Sequence, residues 1–228
     1  MLERLRRDGI CEVGAFFVGG MLKHLSTKKR WNNHVKQDGV EPGPDPSSTC
    51  WSMEDVITAP LLLEQANVFL PLAREYLDAP PQLYSVNAFT TYPRQGPTQV
   101  DIQEFHRDED DVKFLVLFVY LTPVLTTDDG PHEYKLGTHE GKSDGPTVKV
   151  IGWPGTMFLA DTRGLHRGVR PTVHPRTLAW VRWGVSDPPK SYGLDKLSPV
   201  PSSLLGDRWA KFGREERESM RLVMRDDT

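Results

Sequence analysis

Eight consecutive apolar residues, FLVLFVYL from Phe114 to Leu121, constrain this 228-residue chain more than any other feature. The run is too short to cross a membrane, and its β-branched and aromatic content reads as a strand lying in the core. Directly before it stands HRDEDDVK, from His106 to Lys113. A charged cluster abutting so apolar a strand sits at the mouth of the packed interior. Polar groups converging there need a chemical reason, and the residue types suggest a metal.

The rest of the chain supplies a setting for that strand. QLYSVNAFTTY, TVKVIGW, GTMFLAD and RTLAWVRWGV are further short runs of β-branched and aromatic residues, separated by Gly, Pro and Asp. Together they predict a sandwich or barrel with helices packed outside. In RTLAWVRWGV the alternation is clean: Leu178, Trp180 and Arg182 share one face, and Thr177, Ala179, Val181 and Trp183 the other. Before the β-rich half, DGICEVGAF predicts a short strand, followed by a helix around Val18 to Leu25. SMEDVITAPLLLEQANVFLPLAREYLDAP has helical spacing, capped by Ser52 with Asp55 and divided at Pro60 and Pro71. QDGVEPGPDPSSTC reads as a loop or lid, and the tail SLLGDRWAKFGREERESMRLVMRDDT as charged helix with Leu205, Trp209 and Phe212 on its docking face. Lys29 to Met53 and the chain past Pro188 are expected to shape the pocket as lid segments. The expectation is a single domain over 1–228, with a β core at about 81–187.

Hydrophobic residues make up 38% of the chain and charged residues 26%, an ordinary globular balance. A net charge of −3 makes no case for nucleic acid as a partner. Two cysteines, Cys11 and Cys50, suit a reducing compartment. No apolar segment follows MLERLRRDGI as in a secretory signal. The expected setting is cytoplasmic, away from membranes.

His106 and Asp108 are two apart, so extended backbone points both at one place. Alone, the pair reads as a histidine bound to an acid at a strand end. GTMFLADTRGLHRGVRPTVHPRTLAWVRW adds His166, in a Gly-flanked turn after an apolar strand, and Arg176 at the start of another. Two histidines and one carboxylate with open positions form the facial triad of non-haem Fe(II) oxygenases. Arg176 then acquires a specific use. A 2-oxo diacid chelating iron needs its far carboxylate held, and a guanidinium does so with two parallel hydrogen bonds.

These residues bring a family into view. FHRDEDDVKFLVLFVYLTPV, DDGPHEYKLGTHEG and GTMFLADTRGLHRGVRP, with the arginine that follows, resemble the phytanoyl-CoA dioxygenase-like branch of the Fe(II)/2-oxoglutarate oxygenases. The likeness runs from RRDGICEVGAF to RWGVSD. It implies a double-stranded β-helix (a jelly roll, cupin-like), iron on His106, Asp108 and His166, 2-oxoglutarate on the metal and Arg176, and molecular oxygen as the third reactant. The implied reaction hydroxylates an unactivated C–H of a small-molecule substrate and releases succinate and CO2. A carboxylate at 108 argues against halogenation, because halogenating relatives carry a small residue there. One position departs from the pattern: many relatives have a hydroxyl residue two places after the distal histidine, where this chain has Gly168.

Other polar residues have plainer readings. His132 is read as a solvated loop histidine, with the substrate cavity as the alternative. His139 is expected to buttress its loop, and His174 to lie exposed. Asn87 and Lys113 sit on strands that could line the cavity. Glu109 to Asp111 read as a solvated turn, and Arg163, Arg167 and Arg170 as a basic turn or an attractor for an anionic substrate. Arg182 stands second to Arg176 as a carboxylate anchor. Two alternatives to the oxygenase stay open: a cupin-like metalloenzyme that does not use 2-oxoglutarate, and a non-catalytic ligand-binding relative.

Overall fold

The computed structural model of the protein describes residues 1–32, 48–93, 104–187, 189 and 199–227. In chain order its elements begin with α1 (Leu2–Asp8), β1 (Ile10–Ala15), α2 (Gly19–Ser26), β2 (Trp31–Asn32) and β3 (Ser48–Cys50). Then come α3 (Met53–Thr58), α4 (Leu62–Val68), α5 (Leu70–Leu77), β4 (Gln82–Thr91), β5 (Phe114–Tyr120), β6 (His132–Lys135) and β7 (Thr147–Val150). The chain ends with β8 (Thr156–Ala160), β9 (His166–Gly168), β10 (Arg176–Gly184), β11 (Val200–Pro201), α6 (Asp207–Ala210), α7 (Arg214–Met220) and β12 (Met224–Arg225).

The apolar run becomes β5, and every one of its residues is buried. Its two faces serve two cores. Phe114, Val116, Phe118 and Tyr120 point into a cluster with Phe89, Tyr134, Phe158 and Leu178. Leu115, Leu117 and Val119 pack with Val56, Leu63, Ala73 and other helical residues. Alternation in β10 follows the same division, with Leu178 and Trp180 on the first face and Ala179, Val181 and Trp183 on the second. A strand covered on both sides has no solvent face to mark with polar residues, which explains the unbroken apolar run.

Seven strands form one sheet in the order β1-β8-β5-β10-β4-β3-β2, and three form a smaller one, β7-β6-β9. The pairings within both are antiparallel. The aromatic cluster with Phe118, Tyr120, Tyr134 and Phe158 lies between the two sheets. The fold is the expected double-stranded β-helix, mainly β with flanking helices.

Most predicted elements are present. Ser52 caps α3, its hydroxyl accepting from the Asp55 amide at 3.1 Å. In the tail, Leu205, Trp209 and Phe212 are buried as expected, although the segment forms short helices and a two-residue strand. The loop QDGVEPGPDPSSTC lies outside the described residues except for Ser48–Cys50, which is strand β3.

A buried carboxylate ties the helical layer to the smaller sheet. Asp161, at the end of β8 and fully buried, accepts from Tyr76 Oη of α5 at 2.6 Å and from Arg163 Nη2 at 2.6 Å. Its carbonyl accepts from Tyr134 Oη of β6 at 2.7 Å. Removing this carboxylate strands a cation and a buried phenol, so Asp161→Ala is expected to cost about 3–5 kcal/mol in urea unfolding. A loss below ~1 kcal/mol would show that the network is not what joins the layers.

Candidate metal centre

His106 lies outside the regular strands, but a two-residue bridge joins it to His166: each backbone amide donates to the other's carbonyl at 3.0 Å. His166 is therefore in strand β9 and not in a turn, and it pairs across the sheet with Tyr134 of the inner cluster. The bridge places the two imidazoles 4.4 Å apart, centroid to centroid. Asp108 is anchored by its amide on the Thr162 carbonyl, 2.9 Å away. Its two carboxylate oxygens lie 3.7 Å from His106 Nε2 and 3.7 Å from His166 Nε2.

The hydrogen bonds set the imidazoles for ligation. His106 Nδ1 donates to the Glu104 carbonyl at 2.9 Å, and His166 Nδ1 donates to the Gly164 carbonyl at 3.0 Å. Each Nε2 is then left with a lone pair facing Asp108, the tautomer a metal requires. Burial holds the His166 pKa down at about 4. For Asp108, burial pushes the carboxyl upward, but the Arg182 guanidinium, His166 and His106 outweigh it and hold the group below its ordinary value. Two imidazoles facing one carboxylate suit a divalent ion, and the three candidate ligand atoms lie within 4.8 Å of one another.

Arg182 contributes here in a way its position on β10 does not reveal. It bonds Asp108 at 3.1 Å and pairs with Asp110, which also accepts from Tyr84 Oη at 3.1 Å. It pairs with two carboxylates, one of them a member of the cluster. Arg107, between His106 and Asp108, donates to the carbonyls of Thr138, Arg163 and Lys142 at 2.6–2.7 Å. Thr138 donates to the Lys135 carbonyl and accepts from the Leu165 amide at 2.8 Å. These contacts clamp the loops that carry all three candidate ligands.

Arg176 is buried on the inner face of β10. Its Nη1 donates to the carbonyls of Gly130 and Val169, the latter at 3.2 Å, while Nε has no partner among the described residues. No carboxylate among the described residues pairs with it, and burial pushes its pKa down. Two glycines make the fit possible. A Cβ on Gly130, whose φ is +74°, would lie 2.5 Å from the Val169 carbonyl; a Cβ on Gly168 would lie 3.0 Å from Arg176 Nη2. A buried, uncompensated guanidinium is costly in an isolated protein and fits a site completed by an anion.

Several plainer readings are corrected. His132 is buried in the barrel, not solvated, because β6 faces it inward beside Phe118, Phe158 and His166. Lys113 points away from the interior and donates to the Tyr76 carbonyl at 2.6 Å. Of the acidic turn, Glu109 is exposed as expected, but Asp111 is buried, accepting from the Val185 and Ser186 amides at 2.8 Å each, and is part of the framework. Arg163 pairs with Asp161 and Arg167 with Glu133, so both are neutralised by their neighbours. Asn87 sits opposite Trp180 on the inner side of the sheet. His139 buttresses its loop, with Nε2 3.0 Å from the Arg6 carbonyl, and His174 is exposed. Sequence reasoning assigns Asp161 no role; its only signal is an acid closing the apolar run GTMFLAD.

No protein-family model matches this sequence, and no curated protein matches it. Solved structures do. The non-haem α-ketoglutarate-dependent carbocyclase SnoK from nogalamycin biosynthesis superimposes with a TM-score of 0.61 at 16% identity, over 87% of this chain and 90% of that one. HygX from Streptomyces hygroscopicus, solved with nickel and 2-oxoglutarate, gives 0.57 at 15% identity over 87% and 89%. The α-ketoglutarate-dependent epimerase SnoN gives 0.57 at 17% identity over 80% of each chain. At these identities the likeness establishes a shared fold. Among the described residues no helix is long and apolar enough to cross a membrane.

Two outcomes follow from this geometry. Arg182→Leu is expected to weaken Fe(II) binding about 10- to 100-fold, the usual effect of losing a group that orients a ligand; unchanged affinity in a chelator competition would remove Arg182 from the site. The second concerns metal-free protein. With His166 held at about 4 when folded, against 6.5 when free, the unfolded chain takes up its proton first as pH falls. Stability is therefore full above pH 6.5 and declines toward pH 4, by about 3 kcal/mol. Denaturant melts across that range should show the fall, and His166→Phe should flatten it.

Proposed function

We propose that this protein is a non-haem Fe(II)/2-oxoglutarate-dependent oxygenase of the phytanoyl-CoA dioxygenase-like type, working as a single cytoplasmic domain. The observation that carries the reading is the conjunction, inside one barrel, of a His-Asp-His cluster and a buried arginine with no counter-charge among the described residues. His106, Asp108 and His166 would hold the iron, and Arg176 the distal carboxylate of 2-oxoglutarate. SnoN has been crystallised with Fe3+, α-ketoglutarate and nogalamycin RO, and HygX with nickel, 2-oxoglutarate and hygromycin B. Those contents support the same class of co-substrate and a small-molecule substrate here.

When bound, iron supplies the activation of molecular oxygen coupled to decarboxylation of 2-oxoglutarate to succinate and CO2. The protein's part is positional. The His106–His166 backbone bridge and the Arg107 clamp hold the ligand side chains on one face of the cavity. Arg182 keeps Asp108 ionised and oriented. Phe118, Phe158 and Trp180 line the interior with apolar surface, which excludes water from the reacting C–H. The reaction we infer is hydroxylation. Asp108 occupies the position that a halogenating site would have to vacate, although epimerisation and ring closure also occur on this fold.

The testing experiment is succinate release by Fe(II)-loaded protein across a metabolite library, measured against the substrate-free rate. In it, Arg176→Ala is expected to raise the half-saturating 2-oxoglutarate concentration at least about 30-fold, as expected on truncating one partner of a buried charge pair. Fe(II) affinity should stay within about twofold, and Arg176→Lys should recover part of the loss, since an ammonium lacks the planar fork. Turnover without 2-oxoglutarate would instead favour the cupin-like metalloenzyme.

A further inference from the structure

The proposed co-substrate site lacks the hydroxyl that many relatives place two residues after the distal histidine, and the structure shows why it cannot simply be restored. At Gly168 a Cβ would already lie 3.0 Å from Arg176 Nη2, and that guanidinium is held by the Gly130 and Val169 carbonyls. Arg176 occupies the space that a side chain at 168 would need. The question is what else can meet a carboxylate there.

His132 lies directly across the sheet from Gly168. Cross-strand neighbours share a face and bring their side chains together, so the His132 ring projects inward on the face of Gly168 where Arg176 lies. It stacks on His166 with ring centroids 5.5 Å apart and planes 17° apart, and it is flanked by Phe118 at 4.9 Å and Phe158 at 5.0 Å. The ring therefore touches the candidate metal centre at His166, while Gly168, its cross-strand partner, lies against Arg176. Its backbone amide is fixed by Tyr120 Oη at 2.9 Å. Its Nε2, however, is buried with no partner among the described residues, in a side chain only 3% exposed. A buried ring nitrogen without a partner is costly unless a ligand supplies one.

Resting on the co-substrate reading above, we infer that His132 is a positioning residue for 2-oxoglutarate, donating from Nε2 to the distal carboxylate alongside Arg176 and replacing the hydroxyl absent at Gly168. A ring nitrogen adds a directional hydrogen bond to those of the planar Arg176 fork. Thr91, the register partner of Arg176, also has a buried hydroxyl without a partner among the described residues and is the natural comparison.

The test is anaerobic titration of Fe(II)-loaded protein with 2-oxoglutarate and with 2-oxopentanoate, which has the same chain length but no distal carboxylate. Binding is followed by the charge-transfer absorption that 2-oxo acids produce on chelating Fe(II). His132→Phe keeps the ring stacking and removes the donor. It is expected to weaken 2-oxoglutarate about tenfold or more, to leave 2-oxopentanoate within about twofold, and to leave Fe(II) affinity unchanged. His132→Gln, which restores an amide donor, should recover part of the loss; both variants are checked for an unaltered thermal melt. Unchanged 2-oxoglutarate affinity in His132→Phe would overturn the assignment, as would equal weakening of both acids, which would place the effect at the metal end. A loss seen in Thr91→Val and not in His132→Phe would move the role to Thr91. If the wild-type protein fails to distinguish the two acids, the co-substrate reading itself falls, and this assignment with it.

Discussion

Burial of β5 on both faces is the constraint from which the rest of the architecture follows. A strand with leucines and valines on one side and phenylalanines and a tyrosine on the other leaves two apolar surfaces to cover. Helices α1 to α5 and the tail cover one. The other is covered by the smaller sheet, which must close over the larger one to do so, and that closure creates an interior. At roughly 25 cal/mol per Å² of apolar surface removed from water, covering both faces of one central strand is among the larger single contributions available to a domain of this size.

Closure also makes the interior expensive for polar groups, which gives the few that are there their meaning. Asp161 is matched by Tyr76 and Arg163, and Asp111 by two backbone amides and a serine hydroxyl. These are completed networks, and they join layers. Arg176 and His132 are incomplete among the described residues, and His132 stacks on His166 of the His106–Asp108–His166 cluster. Unpartnered buried polar atoms also occur at Asn67, Gln82 and Trp209, so it is the position of Arg176 and His132 in the inner layer with the cluster that gives theirs a use.

The candidate ligands are legible in the sequence because their spacing is local. His106 and Asp108 share a face in extended backbone, and His166 follows an apolar strand that had to be part of the same wall. Arg176 is legible as the first residue of an alternating strand. His132 is not, because β6 is only four residues long and carries no apolar alternation of its own; its inward face is set by pairing with β7 and β9. The role of Arg182 is hidden for a related reason. Its face can be read from alternation, but its partners, Asp108 and Asp110, lie more than seventy residues away. They meet it only because Asp108 is tied to the Thr162 carbonyl and the acidic turn lies beside β10. The acidic turn reads as solvated for the same reason, since a run of carboxylates carries no mark of the amides it will accept.

By itself the sequence determined the elements and their faces, because hydrophobic periodicity acts within a few residues and survives in one dimension. It also singled out the residues at 106, 108, 166 and 176 as candidates, and the fold brings the first three within 4.8 Å of one another. Tertiary structure alone decided which polar groups would be left without partners. That property depends on what the opposite sheet brings to each atom across the barrel, and no local pattern encodes the far side of a closed interior.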